Sequence, residues 1–268
     1  MSASAGPGAP GPGPVPALPE VRELHNLADL TAVDDLFVRI WGSAPGGSPM
    51  GVEQMRALTH AGNYVAAAYT DGRMTGASVA FFGAPVGQVL HSHVTGALPG
   101  RRAGLALKLH QRQWALARGL SRITWTYDPL VRRNAHFNLT KLGARPVEYL
   151  PCFYGAMEDA INGGDDTDRA LASWDLNREP PRPGPPAPLP ADAVTALSVR
   201  DGRPVVGRLD APTLLVEVPP DVEGLRRTDP RAAKEWRLAM REVLGGLLAD
   251  GARVTGFHDR TCYVVTTR

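Results

Sequence analysis

Lysine is scarce in this chain of 268 residues: Lys108, Lys141 and Lys234 are its lysines, and every other one of its 29 basic side chains is an arginine. That bias runs from end to end, so no single arginine marks a site. Cysteine is scarcer still. Cys152 and Cys262 are too few for the disulfide framework of a small secreted domain and offer no paired spacing for zinc, so a reducing cytoplasm is the expected compartment. Net charge is nearly absent at +2, which excludes the broad basic field of a nucleic-acid binder and leaves any anion site to local arrangement. No apolar run approaches the roughly 20 residues of a membrane span, and MSASAGPGAPGPGPVPALPE has neither the charged nor the apolar region of a secretory leader. Nucleic acid and membrane are therefore not expected partners.

Glycine and proline are plentiful, at 29 and 25 residues, and they cluster. Residues 1–19 read as a disordered Pro/Gly/Ala tail and residues 178–192 as a Pro-rich linker, so the chain divides into a domain over 20–177 and a C-terminal α/β extension over 193–268. Helical spacing of Leu27, Leu30, Val33, Leu36, Phe37 and Ile40 predicts a helix over Val21 to Trp41, capped by Asp29 or Thr31, and a short helix follows over Val52 to His60. Tyr64 to Tyr69, an Asp71-Gly72 turn and Met74 to Phe82 read as a hairpin. Strands are expected over Val89 to Thr95, Ile123 to Tyr127, Tyr149 to Tyr154 and Ala170 to Leu176, with helices over Gly104 to Arg118 and Val131 to Leu142. Beyond the linker, Thr195 to Val206 and Leu214 to Val218 read as strands, Asp229 to Leu248 as a long helix, and Arg253 to Phe257 and Cys262 to Thr266 as a strand pair. No short-period repeat is evident.

Between the strand at Val89 and the helix at Gly104 lies a basic turn of small residues, Arg101-Arg102-Ala103-Gly104-Leu105-Ala106. A strand ending in such a turn presents unpaired helix N–H groups with the positive end of the helix dipole behind them, and arginines beside it add charge-assisted contacts to phosphate oxygens. An ordinary helix start has the same letters, and the turn alone leaves both readings open.

Arg101-x-x-Gly104-x-Ala106, set between two strands, resembles the Arg/Gln-x-x-Gly-x-Gly/Ala motif of the GNAT acyltransferase family. A second segment is similar too: Ala135, Lys141, Leu142 and Gly143 stand at the family's Asn-x-x-Ala-x-x-x-Tyr-x-Lys-x-Gly-Phe spacing, with Arg132, Leu139 and Ala144 as departures. Trp125-Thr126-Tyr127-Asp128-Pro129-Leu130 and the Asn134 to Ala144 segment resemble a subgroup with a longer C-terminal region, some members of which move succinyl or acetyl groups to amino acid amines. The resemblance implies a mixed α+β, GNAT-like acyl-CoA N-acyltransferase fold. It implies acetyl-CoA or succinyl-CoA as acyl donor, direct attack by a small-molecule amine in a ternary complex, and a monomer or homodimer. It also implies that Arg101, Arg102, Ala103, Gly104, Leu105 and Ala106 wrap the pyrophosphate of coenzyme A, and that Val94 on the preceding strand lies along the cofactor. Asn134 and Asn138, four apart on one helix face, are candidates to reach cofactor or substrate, against the alternative of solvated helix-face asparagines. Leu139 stands where the family places the tyrosine that returns a proton to the thiolate, so a non-catalytic CoA-binding or regulatory module is the alternative.

For the chemistry itself, His91 and His93 share one strand face, and an imidazole suits deprotonation of an ammonium near neutral pH. His93, nearer the expected strand opening, is the candidate base, against the alternative of a hydrogen-bonded structural pair. Asp128, just past the next strand, is a candidate for binding the amine or orienting a histidine, or else a turn residue before Pro129. No third ligand accompanies the two histidines, so no metal is expected. Tyr127, Tyr149 and Tyr154 are candidate replacements for the missing acid. Glu217 reads as an edge-strand carboxylate, Trp236 and Arg237 as packing and ion-pairing residues, and Cys152 as an inert buried thiol.

Overall fold

The computed structural model describes residues 17–42, 48–155, 166–182, 184–185 and 188–267. Residues 1–16 of the expected tail and 183, 186 and 187 of the expected linker lie outside the described residues.

The chain folds as a mixed α+β protein with two sheets. The first strand, β1 (Glu20–Glu23), lies antiparallel on β2 (Tyr64–Thr70), and α1 (Leu27–Trp41) starts only after it. The expected helix from Val21 is thus shortened. Its cap is Asn26, whose Oδ1 accepts from the Asp29 amide at 2.9 Å, and that bond fixes where helix can begin. Next come α2 (Val52–His60), β3 (Arg73–Gly83) and β4 (Val89–Ala97). The β2–β3 turn takes Asp71 and Gly72 at φ 50° and 73°, as an Asp-Gly hairpin requires. Then follow α3 (Ala103–Leu116), β5 (Arg122–Tyr127) and α4 (Arg132–His136), which runs on as a π-helical segment (Phe137–Leu142). A hairpin of β6 (Arg145–Leu150) and β7 (Arg169–Asp175) closes the seven-stranded sheet in the order β1-β2-β3-β4-β5-β7-β6. The strand expected at Tyr149 to Tyr154 is displaced toward the N-terminus, since from Pro151 the chain is in turns.

Alternation along β2 assigns the layers. Ala66 and Ala68 pack with Leu107 and Trp114 of α3, while Val65 and Ala67 pack with Leu30 and Phe37 of α1 and Met55 of α2. One helical layer therefore covers each face.

The second sheet holds β8 (Val194–Arg200), β9 (Arg203–Val206), β10 (Thr213–Glu217), β11 (Arg253–His258) and β12 (Cys262–Thr266), in the order β11-β12-β10-β8-β9. The single strand expected over Thr195 to Val206 is a hairpin, turned by Asp201 and Gly202 at φ 50° and 77°. Between β10 and β11 run α5 (Val222–Thr228), α6 (Pro230–Met240), a π-helical segment (Arg241–Gly245) and α7 (Gly246–Ala249). Asp229 caps α6 through the Ala232 amide.

The two sheets repeat a plan that sequence periodicity did not reveal. In the first, β4 and β5 are parallel, a helix with a π segment follows, and the β6–β7 hairpin returns beside β5. In the second, β8 and β10 are parallel, helices with a π segment follow, and the β11–β12 hairpin returns beside β10. Each helical run ends in a left-handed glycine followed by Ala-Arg, at Gly143 (φ 76°) and Gly251 (φ 84°). The halves meet reciprocally, the π segment of each packing on the edge strand β11 or β6 of the other. At one such contact a Cβ on Gly245 would sit 3.3 Å from the Tyr149 ring, so glycine permits the approach. One apolar cluster runs through both sheets.

Candidate functional site

β4 and β5 pair at Val89 with Arg122, Leu90 with Ile123 and His91 with Thr124, and there the ladder stops. Beyond that point β4 continues to Ala97 against β3, and β5 continues to Tyr127 against β7. The strands part into a wedge whose vertex lies between Ser92 and Trp125. A bulge marks the same place: Val79 opposes Val94 and Ala80 opposes Ser92, so His93 is the extra residue of β4. Bulges bend a strand and redirect its side chains, and here the bend carries β4 away from β5.

At the far end of β4 the chain turns into α3. Arg102 occupies the N-cap in the left-handed region (φ 54°), with no side-chain cap and no acidic residue in the first turn. The Leu105 and Ala106 amides return to the Arg102 carbonyl, and the Ala103 and Gly104 amides are the orphan donors of the helix start. The expected cradle residues divide by role. Ala103 and Ala106 are buried against the sheet and Leu105 is half-buried, so their small or apolar side chains pack, whereas Arg101 and Arg102 are exposed. Gly104 faces open space, where an added Cβ would meet nothing nearer than the Ala97 methyl at 3.9 Å. Val94 buries its side chain among the α1–α2 core and brings only backbone to the parted strand. Asn138 is buried, with its Oδ1 accepting from Trp125 Nε1 at 3.3 Å, so it braces β5 and its side-chain oxygen is occupied there.

His91 and His93 both lie in a half-buried cluster with Phe81, whose ring centroid is 5.3 Å and 5.8 Å from theirs. His91 Nδ1 is 3.1 Å from Thr124 Oγ1, a bridge across the last strand pair. Burial, helped by the charges of His93 and Lys108, holds His91 down to about 4, and burial lowers His93 as well. Both imidazoles are neutral at neutral pH, the form that accepts a proton. Among the described residues no group of three His, Cys, Asp or Glu is placed to hold a metal ion.

On the opposite face of the wedge lies a residue that sequence reasoning passed over. Lys108 of α3 is buried, its Nζ 2.8 Å from Ser92 Oγ, 3.3 Å from Gln111 Oε1 and 4.0 Å from the Trp125 ring centroid. Burial, with no carboxylate partner among the described residues, pushes its ammonium down to about 7. A signal existed in the sequence: one of the three lysines in an arginine-rich chain stands at helical spacing with the core-facing Gln111 and Ala115.

Asp128 is placed differently from the expectation of a residue open to substrate. It is buried, and its Oδ1 accepts from the Leu130 amide at 3.0 Å and Arg237 Nη1 at 2.9 Å, while its Oδ2 accepts from Arg237 Nη2 at 2.9 Å and from Arg226. Burial alone would raise its carboxyl, but the two guanidinium groups outweigh that and hold it well below the usual carboxylate range. A carboxylate so committed neither accepts a proton near neutral pH nor has a vacant oxygen. It ties the end of β5 to α5 and α6.

The candidate tyrosines separate in space. Tyr127 is buried, and burial pushes its hydroxyl well above the usual phenol range. Tyr149 donates to Asp168 Oδ2 at 2.8 Å, and Tyr154 reaches the parted stretch of β5 from outside it, its hydroxyl 3.0 Å from Thr126 Oγ1. Leu139 is buried in the core. Glu217 is not on an edge: β10 lies between β12 and β8, and the carboxylate accepts from the Val199 amide at 2.8 Å. Cys152, expected buried, is exposed at a left-handed turn (φ 45°). No helix among the described residues is long and apolar enough to cross a membrane.

No protein-family model and no curated protein sequence matches the chain. Among solved structures it is similar to the ribosomal-protein-S18-alanine N-acetyltransferase of Escherichia coli, at 12% identity and a TM-score of 0.48 over 62% of this chain and 97% of that one. It is also similar to an aminoglycoside 6'-acetyltransferase type Ii, at 19% identity and a TM-score of 0.47 over 60% of this chain and 99% of that one. A GNAT-family acetyltransferase of Streptococcus pneumoniae gives 18% identity and a TM-score of 0.46 over 58% and 98%. These are likenesses of fold, and no residue role is transferred from them.

Proposed function

We propose that the protein is an N-acyltransferase that moves an acetyl or succinyl group from acyl-CoA to the amine of a small molecule, by direct attack with both substrates bound. The observation that carries this reading is the wedge: β4 loses its β5 partner after His91 and ends at the uncapped N-terminus of α3. An extended amide-bearing arm laid along β4 would find backbone groups that have no partner strand on that side, and a pyrophosphate at the strand's end would meet the Ala103 and Gly104 amides. Arg101 and Arg102 would add charge there. Acyl-CoA has that arm and that pyrophosphate in that order.

In this reading the amine approaches from the face of the histidines. His93, neutral and at the bulge, takes the proton that frees the amine's lone pair, and His91 with Thr124 holds the vertex in shape. Asp128 acts as a positioning residue, keeping the end of β5 in place through Arg226 and Arg237. Tyr154 and Thr126 line the acceptor side.

One observation favours a second reading, a CoA-binding module without turnover: position 139 is a buried leucine with no hydroxyl to offer. Calorimetric titration with CoA, acetyl-CoA and succinyl-CoA, followed by release of free CoA with a panel of primary amines, separates the cases. Binding with turnover supports the transferase, binding without turnover selects the module, and no binding to any of the three overturns both.

A further inference from the structure

The wedge has a chemical gap that the proposed function leaves open. When an amine displaces CoA from a thioester, the N–C bond forms, the C–S bond breaks, and the sulfur departs with an electron pair that a proton must meet. The position from which the fold's resemblance implies a hydroxyl holds Leu139, buried among apolar neighbours. We infer that Lys108 supplies this proton, its Nζ at the vertex of the wedge standing directly under the departing sulfur. The inference rests on the acyl-CoA reading above.

Three observations point to it. First, Lys108 touches both strands where they part: its Nζ bonds Ser92, the first residue of β4 beyond the last strand pair, and lies over the ring of Trp125, the corresponding residue of β5. Second, the reach fits. From Ala97 back to Ser92 is about 17 Å at the rise of an extended strand. That is close to the span of an extended pantetheine arm, so a pyrophosphate at the start of α3 places the sulfur beside Ser92. Third, acid and base fall on opposite sides of the sheet. His91 faces away from α3 and Lys108 comes from α3, so one side serves the incoming amine and the other the leaving group.

The environment keeps the ammonium labile. An ammonium has three donors, and two of them meet Ser92 Oγ and Gln111 Oε1. Gln111 in turn donates to Ser78 Oγ on β3, and Trp125 is braced by Asn138 of the π segment, so the neighbours on β3, β4, β5 and that segment are uncharged. The titratable group coupled to Lys108 is His91, on the far face of β4. With no carboxylate among the described residues to hold its charge, burial brings the amine down to about 7, where giving up a proton and regaining one from water between turnovers are both easy. The proton leaves Nζ for sulfur, CoA departs as the thiol, the nitrogen of the new amide gives up its surplus proton to solvent, and neutral Lys108 is reprotonated by solvent.

The test needs no acceptor. A cation beside the sulfur must favour the thiolate of bound CoA, so the ultraviolet absorbance of the thiolate is titrated against pH for CoA alone, CoA with wild-type protein, and CoA with Lys108→Met. Wild type is expected to lower the apparent thiol pKa by about 1–3 units, as a near opposite charge does. Lys108→Met, close in shape but uncharged, is expected to return it to the free value or above while calorimetric CoA affinity at pH 6 stays within a few fold. Bound CoA with an unshifted thiol in the wild-type protein overturns the inference and leaves the function standing, whether or not the variant folds. An equal shift in both proteins does the same. Absence of CoA binding by the wild type overturns the function and this inference together.

Discussion

In the first sheet β4 and β5 part after His91 and Thr124, and β4 runs on with β3 alone. In the second, β8 and β10 part after Leu197 and Val216, and there Glu217 swings its carboxylate across to take the Val199 amide. Both halves follow one plan of parallel pair, helix with a π segment, and returning hairpin, yet one opening stays parted along the rest of β4 and the other is closed by the chain itself. The connection explains much of the difference. A helix, α3, leads from β4 to β5 and brings its N-terminus to the mouth of the gap, while β8 is followed by a tight Asp-Gly hairpin that brings no helix. Backbone groups freed where strands part need a partner, which water or a bound molecule can supply at an open gap and a side chain such as that of Glu217 supplies at a closed one. The closed half then serves the open one, since Arg226 and Arg237 from its helices clamp Asp128 at the end of β5.

The comparison is broken most severely at that clamp. Asp128→Ala removes the carboxylate shared by two buried guanidinium groups, and denaturant unfolding should show a loss of about 3–5 kcal/mol; a change under 1 kcal/mol would show that the two halves are held by their other contacts and not by this clamp. At the open wedge, His93→Gln should slow acyl transfer by about 100-fold with CoA affinity nearly unchanged. Because burial lowers the His93 pKa, wild-type activity should hold as pH falls to 6.5 and decline only below it, as the imidazole gains its proton. A pH–rate profile for the variant that keeps that acid limb would place the base elsewhere.

Smaller effects sharpen the contrast between open and closed gaps. Glu217→Ala leaves the Val199 amide without its acceptor and should cost about 1–3 kcal/mol in thermal or chemical unfolding, with CoA binding untouched. Gly104→Glu sets a negative charge over the orphan amides of α3. It should weaken CoA about tenfold or more, ~1.4 kcal/mol, by calorimetry. The fold should tolerate it, because the position is open and an acid at a helix start is favourable. Unchanged affinity in that variant would remove the pyrophosphate from this turn.

Much of the architecture was legible because it is local. The Asp71-Gly72 turn, the Gly143 helix stop, the strand at Ile123 and the helix at Gly104 follow from backbone preferences and apolar periodicity, which need no distant partner. Misread elements were those decided by a neighbour. Val21 to Glu23 has helical company in sequence but gains a ladder on β2, and Thr195 to Val206 reads as one strand until the Asp201-Gly202 turn folds it back. The Arg/Gly turn and His93 were visible by type and order. Lys108 was not singled out, because only the packing of α3 across two parting strands turns a helix-face lysine into a buried amine.

From the sequence alone came the succession of strands and helices and the basic small-residue turn at a helix start, since each is written in residue types at fixed spacing; that Leu139 stands in place of a hydroxyl came from the family resemblance. Tertiary structure decided where β4 leaves β5, that Asp128 is spent on two arginines from a distant helix pair, and that Glu217 seals the second opening. Those outcomes depend on which charges and backbone groups are brought together across the chain, and on how far water is removed from them. Spacing along the sequence carries neither quantity.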